Sequence, residues 1–335
     1  MYSYVARRLI LLVPVLFGVS LISFSLMHLI PGDPARAMLG EKASLAEVER
    51  LREELGLNDP LYVQYFRYVS RLLHLDLGRS IITHLPVSEE LFQRFPATLE
   101  LTAAGITIAA LIGVVTGVVS ATHRNTVLDH FARVLALLGL SMPVFWLGIM
   151  LILVFSYWFG WFPISGRLDI YLAPPPRVTG LYIVDSMLSG NMETLKSSVK
   201  HLVLPAIALG TSSAAVISRM TRSSMLEVLG QDYIVAARSK GLAERVVIYK
   251  HALRNALIPT ITIVGLQTGA LLGGAVLTET VFSWPGMGRR SVEAIYQRDF
   301  PIVQGFILFA AFIFVLVNLL VDLVYAYLDP RIRYR

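Results

Sequence analysis

The sequence predicts an all-α integral membrane protein with six transmembrane helices. Three observations carry that prediction. Charged residues are 16% of the 335 and hydrophobic residues 55%, with mean hydropathy +0.65, whereas soluble chains carry about 25% charge. Six apolar stretches each come near the ~20 residues that cross a hydrocarbon core. Lysine and arginine are spread unevenly over the connecting loops. The absence of cysteine removes disulfides, thiolate nucleophiles and Cys-ligated metals together. A net charge of +6 would suit nucleic acid, but its distribution fits the positive-inside bias of membrane proteins, so no nucleic-acid partner is expected.

The first span, Leu9 to Ile30, follows Arg7 and Arg8 and runs into His28 and Pro31-Gly32-Asp33-Pro34. A signal peptide has a shorter apolar region and a small-residue cleavage site, so this reads as a retained helix. In the segment that follows, Ser44 and Glu47 form a capping box. Leu45, Val48, Leu51 and Leu55 make one apolar stripe, which Gly56 and Pro60 end. Tyr62, Tyr65, Phe66, Val69 and Leu73 then form an aromatic face, which suits either the membrane surface or packing on neighbouring spans.

The second span, Thr98 to Ala121, holds Gly113 and Gly117 at a spacing that lets helices approach closely. The third, Val134 to Phe159, carries Pro143, a kink. Trp158, Phe159, Trp161 and Phe162 look like an interfacial aromatic belt. Pro174 to Pro176 mark an irregular loop. The fourth span, Leu202 to Ser218, reads as short and interrupted by Pro205, Gly210, Thr211, Ser212 and Ser213. Ala256 to Val281 and Ile302 to Leu328 complete the set. Residues 1–95 thus form the first transmembrane helix plus an external helical segment. Residues 96–330 form a five-helix core interrupted by the basic loop 219–255.

Six spans place both termini on one side. The termini with loops 121–133 and 219–255 hold 14 of the 29 Lys and Arg in roughly 65 residues. The other three loops hold the remainder in about twice that length, offset by acidic residues. Both termini and the 219–255 loop are therefore expected in the cytoplasm.

Within that loop, Asp232 reads as an N-cap, Tyr233 to Lys240 as helix and Gly241 as the left-handed C-terminal residue. Arg238 and Lys240 suit the negative end of the macrodipole. Eight residues make a rod of about 12 Å, too short to persist in water alone. Something must hold it.

Candidate chemistry elsewhere is thin. The sequence carries no G-x-x-x-x-G-K-[ST], so ATP chemistry is expected on another subunit. The seven histidines form no H-E-x-x-H pair, and Ser141 and Ser283 lack a G-x-S-x-G elbow. Gly265, Gly269 and Gly273 recur every four residues beside Gln267 and Thr268, a face for helix packing or for the edge of a transport path. Thr211 and Ser212 of the fourth span are further candidates for that path. Asn318 and Asp322 sit at i, i+4 in the sixth span. An ionisable group there normally marks function or a partner, and Asp322, near the span's end, favours a structural ion pair or hydrogen bond. A secondary transporter would show inverted repeats and charges near the midplane; neither is visible.

The basic loop carries a resemblance. Ala236-Ala237-Arg238-Ser239-Lys240-Gly241 is similar to the E-A-A-x-x-x-G signature of ABC-importer permeases. Val235 stands where that signature has its acidic residue; in the downstream I-x-L-P element Leu253 matches, while His251 replaces the Ile and Arg254 the Pro. Ala237 to Leu242 (ARSKGL), followed by His251 to Pro259 (HALRNALIP), resembles the dipeptide, oligopeptide and nickel branch, where such departures are usual. So do Glu279 to Gly288 (ETVFSWPGMG), Arg298-Asp299-Phe300-Pro301 and Asp329-Pro330-Arg331-Ile332-Arg333. Pro31 to Pro34 and Leu55 to Tyr65 belong to the same pattern. The likeness is strongest to the first permease subunit of dipeptide importers, partly because the 160–201 loop is long.

The resemblance implies a type I ABC-importer (MetI-like) permease fold in a prokaryotic plasma (inner) membrane. It implies a heterodimer with a second, related permease, two ATPase subunits that carry ATP and Mg, and an external binding protein that delivers substrate. This chain would bind membrane lipid and no cofactor of its own. Residues 233–240 would be the coupling helix in an ATPase groove, with Asp232, Tyr233, Ala236, Ala237, Arg238, Lys240, Gly241 and Leu242 as coupling residues. Val246, Leu253 and Leu257 would then face inward on the next helix, and Arg245, Lys250 and Arg254 outward. Dipeptides lead as cargo, with longer peptides, glutathione and nickel as alternatives.

Overall fold

A computed structural model describes residues 2–29, 34–39 and 44–328. The Pro31-to-Pro34 motif in part, and Asp329 to Arg333 entirely, lie outside the described residues. Helices dominate, and one isolated bridge, Arg79 with Pro86, is the extent of β-pairing among the described residues. Five helices are long and apolar enough to cross a membrane, or six spans if one bent pair counts as one. The chain divides into two compact units: residues 1–95 with 286–313, and residues 96–285 with 314–335.

In the first unit, the capping box forms in both directions. Ser44 Oγ accepts from the Glu47 amide and the Ser44 amide donates to the Glu47 carboxylate. Gly56 ends the Leu45–Leu55 helix at φ +66. The stripe is only partly inward: Val48 is buried, but Leu45 is exposed. The Leu61–Leu73 helix splits its aromatic face. Tyr65 meets Ser20 at 2.9 Å and the Phe17 and Phe24 rings edge-on, while Tyr62, Phe66 and Leu73 are exposed. One side thus packs on the first span and the other is free for the membrane surface.

The second unit is built around the Met192–Leu229 helix. The predicted interruptions do not occur: this helix runs 38 residues through Pro205, and 72% of its apolar window is buried. Small residues let neighbours approach instead. A Cβ on Gly210 would lie 2.5 Å from the Gly105 carbonyl oxygen. Gly113 faces Ile217 and Gly117 faces Thr221, so the glycines of the second span are contact points.

The third span is broken rather than kinked. Val127–Ser141 and Val144–Trp158 meet at 105°. Met142, the residue before Pro143, is extended at ψ 127, the conformation that a following proline enforces. The second limb then widens into a π-helix over Ile152–Trp158. The fifth span is displaced from its expected bounds. Its helix runs from Glu244 through a π turn at Val247–Ala252 to Gly274, and Val276–Val281 is a separate short helix.

Candidate functional site

The Asp232–Ser239 helix begins one residue earlier than expected. Gln231 is the N-cap, without a side-chain cap bond, Asp232 is the first helical residue and Lys240 the C-cap. Gly241 is left-handed, at φ +76. Arg238 is tied to Glu244 at 2.6 Å rather than left to the helix end alone.

One face of this helix is supported within the chain itself. Ile234 is fully buried and Ala237 nearly so, in a cluster with Val118, Ala121, Met225, Val247, Ala252 and Ala256. The chain's own core therefore supplies the packing that two turns of helix lack. Tyr233 Oη also accepts from Asn255 Nδ2 at 2.7 Å. Tyr233, Val235 and Leu242 remain exposed, with Ala236, Arg238 and Lys240 on the same outer surface.

The fully buried stripe of the next helix is Val247, Ala252, Ala256 and Thr260; of the expected residues Leu253 packs partly buried against it, Leu257 is half-buried and Val246 is exposed. The first interval is five residues because the π turn lies between Val247 and Ala252. Arg245, Lys250 and Arg254 are exposed, as expected of an outer basic face.

Several buried polar groups brace the loops of the second unit. Asp129 is fully buried and accepts from Arg222 Nε at 2.9 Å and Nη2 at 3.0 Å, from Ser120 Oγ at 2.5 Å and from the Asn125 amide. Glu100 takes Arg167 Nη2 at 2.6 Å and the Ile183 amide at 2.8 Å. The Arg167 guanidinium also lies 3.8 Å over the Tyr182 ring. Thr98 Oγ1 donates to buried Glu279 at 2.6 Å, and Trp284 Nε1 donates to the Ala97 carbonyl at 2.8 Å. Burial raises the Asp185 carboxyl, but bonds from Thr179, Gly180 and Val178 outweigh it and hold it below the ordinary range. Sequence reasoning quoted Glu279 and Trp284 only as motif letters and passed over Asp129, whose partner is 93 residues away.

The pathway candidates separate. Gly265 abuts Val321, and Gly269 faces Phe314 at 3.3 Å and Asn318 Oδ1 at 3.7 Å, so both are packing positions against the Phe300–Leu328 helix. A Cβ on Gly273 meets nothing within 4 Å. Gln267 is half-buried. Thr268 and Thr211 return their hydroxyls to carbonyls of their own helices, at Val264 and Ile207. Ser212 is half-buried on the Met192–Leu229 helix. The Asn318 Oδ1 is buried with no hydrogen-bond partner among the described residues. The side chain of Asp322 lies outside the described residues.

Comparison with known proteins covers nearly the whole chain. Residues 113–334 match the family described as binding-protein-dependent transport system inner membrane component, and residues 1–102 match its N-terminal membrane component. The dipeptide transport system permease protein of Alkalihalophilus pseudofirmus is 53% identical over all of both chains. The di/tripeptide transport system permease protein of Pseudomonas aeruginosa is 48% identical, again over all of both. The glutathione transport system permease protein of Escherichia coli is 40% identical with the same full coverage.

Proposed function

The chain belongs to the inner-membrane component family of binding-protein-dependent transport systems, and from that premise we propose that it is the permease subunit of an ATP-driven dipeptide importer. The observation that carries the cargo is the full-length identity of 53% and 48% to permeases named for dipeptides and di/tripeptides, against 40% to one named for glutathione.

The transport assembly it implies has a second permease, two ATPases and an external binding protein. The site supports a division of labour within it. The inner face of the Asp232–Ser239 helix is fixed to its own core, and the outer face, with Tyr233, Val235, Arg238, Lys240 and Leu242, is free to meet an ATPase. Because Ile234 and Ala237 pack among residues of three membrane-crossing helices, a push on the outer face reaches those helices directly. ATP must then bind one arrangement of the assembly more tightly than the other, which is the condition for any ligand to shift a conformational equilibrium. Hydrolysis resets the inward-facing arrangement. Gly269, Gly273, Gln267, Thr268, Thr211 and Ser212 stand as candidates for the wall that the peptide passes.

Uptake of a labelled dipeptide into cells, with and without ATP depletion, tests this reading together with recovery of ATPase subunits in mild detergent. Uptake is expected to stop without ATP and to be competed by unlabelled dipeptide better than by glutathione. Uptake that persists under depletion, with no ATPase recovered, would establish a secondary transporter instead.

A further inference from the structure

We propose that the recess between the Val127–Ser141 and Met192–Leu229 helices binds the phosphate of an anionic membrane lipid. The recess encloses about 410 Å³ and is lined by Arg133, Arg219 and Arg222 on its polar side and by Leu137 and Leu140 on its apolar side.

The charges in it do not balance. Among the described residues the recess is lined by no acid; Asp129 lies buried behind it, and that carboxylate is occupied by Arg222 through both Nε and Nη2. Arg133 reaches Asp129 only at 3.5 Å with half its side chain exposed. Arg219 is exposed and makes no hydrogen bond or ion pair among the described residues. Three guanidinium groups against one carboxylate leave two cationic charges beside a buried support. Asp129, fixed by Ser120 and by the Asn125 amide, holds Arg222 in place, so one guanidinium of the recess is pre-set and Arg133 and Arg219 supply the charge beside it. Planar guanidinium groups suit phosphate oxygens in pairs.

The surroundings select a lipid over a free anion. Arg133 immediately precedes the apolar stretch that begins at Val134, the place where a span passes from head groups to hydrocarbon. The same helix exposes Val134, Leu137 and Leu138 to 54%, 64% and 44%, a surface that acyl chains would cover and inorganic phosphate would not. Basic recesses between helices at the membrane edge are a known form of lipid recognition. The proposal requires only that the chain spans a membrane, so lipid binding and dipeptide uptake are independent readouts that fail separately.

Native mass spectrometry decides it, using the full-length chain purified in mild detergent with whatever subunits accompany it. Dioleoylphosphatidylglycerol and dioleoylphosphatidylcholine are added at equal concentration, with inorganic phosphate as a separate arm. The wild type is expected to retain the anionic lipid preferentially. In the double variant Arg133→Gln, Arg219→Gln that preference falls by roughly thirtyfold, about 2 kcal/mol at ~1 kcal/mol per arginine. The pair Arg133→Lys, Arg219→Lys keeps the charge but not the planar fork, so it retains more of the preference than the Gln pair and less than wild type, which separates loss of charge from loss of fold. Equal retention of both lipids by the wild type overturns the proposal whatever the variants do. So does an unchanged preference in the Gln pair, displacement of the lipid by millimolar phosphate, or loss of a co-purifying membrane subunit without loss of lipid, which would make the recess a subunit contact.

Discussion

Arg290 shows how far a single side chain reaches in this protein. It is 3% exposed, and it binds Glu90 at 2.8 Å and Asp299 at 3.2 Å. Asp299 in turn receives Ser80 Oγ at 2.5 Å and the Ile81 amide at 3.0 Å. Removing one member of such a network leaves uncompensated buried charge, which costs about 3–5 kcal/mol. Arg290→Met is therefore expected to lower the detergent melting temperature sharply, and Glu90→Gln in the same chain to recover part of the loss. Additive losses in the double variant would show that the two residues are not coupled. Asp185 makes a pH-dependent contribution. Its folded value is depressed, so it stabilises the loop above the unfolded value of about 3.9 and loses that contribution as pH falls further. Asp185→Asn, which removes the charge at every pH, should therefore be cleaved by trypsin after exposed Arg177 faster than wild type at pH 7, and equal rates would remove the contribution. At this scale the sequence was legible where partners are neighbours, as in the Ser44–Glu47 box. It was opaque where they are 200 residues apart, as with Glu90 and Arg290, because no local pattern encodes a distant pair.

Elements divide in the same way. The existence of the Asp232–Ser239 helix was readable from its length and from Gly241, and its support was not, since burial of Ile234 depends on Val118, Met225 and Ala256 from elsewhere. The left-handed Gly241 has open space where a Cβ would go, so substitution there acts through the backbone alone, at about 1–2 kcal/mol. Gly241→Leu is expected to insert and assemble normally but to hydrolyse ATP without proportionate uptake. Normal uptake per ATP in that variant would remove the coupling role. A contrast tests the packing. Gly210→Ala puts a methyl 2.5 Å from a backbone oxygen, and Gly273→Ala puts one in open space. Overpacking costs about 1–3 kcal/mol, so melting in detergent should fall for the first and stay unchanged for the second. The residues that suggested a weak fourth span, Pro205 and Gly210 to Ser213, lie instead in the most buried one. Composition alone misleads there, because small and polar residues that weaken an isolated helix permit close approach in a packed one.

For the whole molecule, five of the six expected spans were legible from hydropathy as single long helices, and the sixth is the pair bent by 105°, a break visible only as a proline. Orientation is open to a direct check because the chain contains no cysteine. Ser239→Cys is expected to react with a membrane-impermeant maleimide only after cells are permeabilised, and Tyr171→Cys, whose position is 93% exposed, in intact cells. The reverse pattern would invert the topology. The Glu90–Arg290 bond also has a consequence for biosynthesis. At about 5–20 residues per second a ribosome needs on the order of 10–40 s to travel from one to the other. For that interval the newly made first unit lacks residues 286–313, which complete it, and the Glu90 carboxylate has not met its guanidinium. The amino-terminal quarter of the chain is thus finished by nearly the last segment to leave the ribosome, and nascent chains stalled before residue 286 should be the ones that quality-control proteases find.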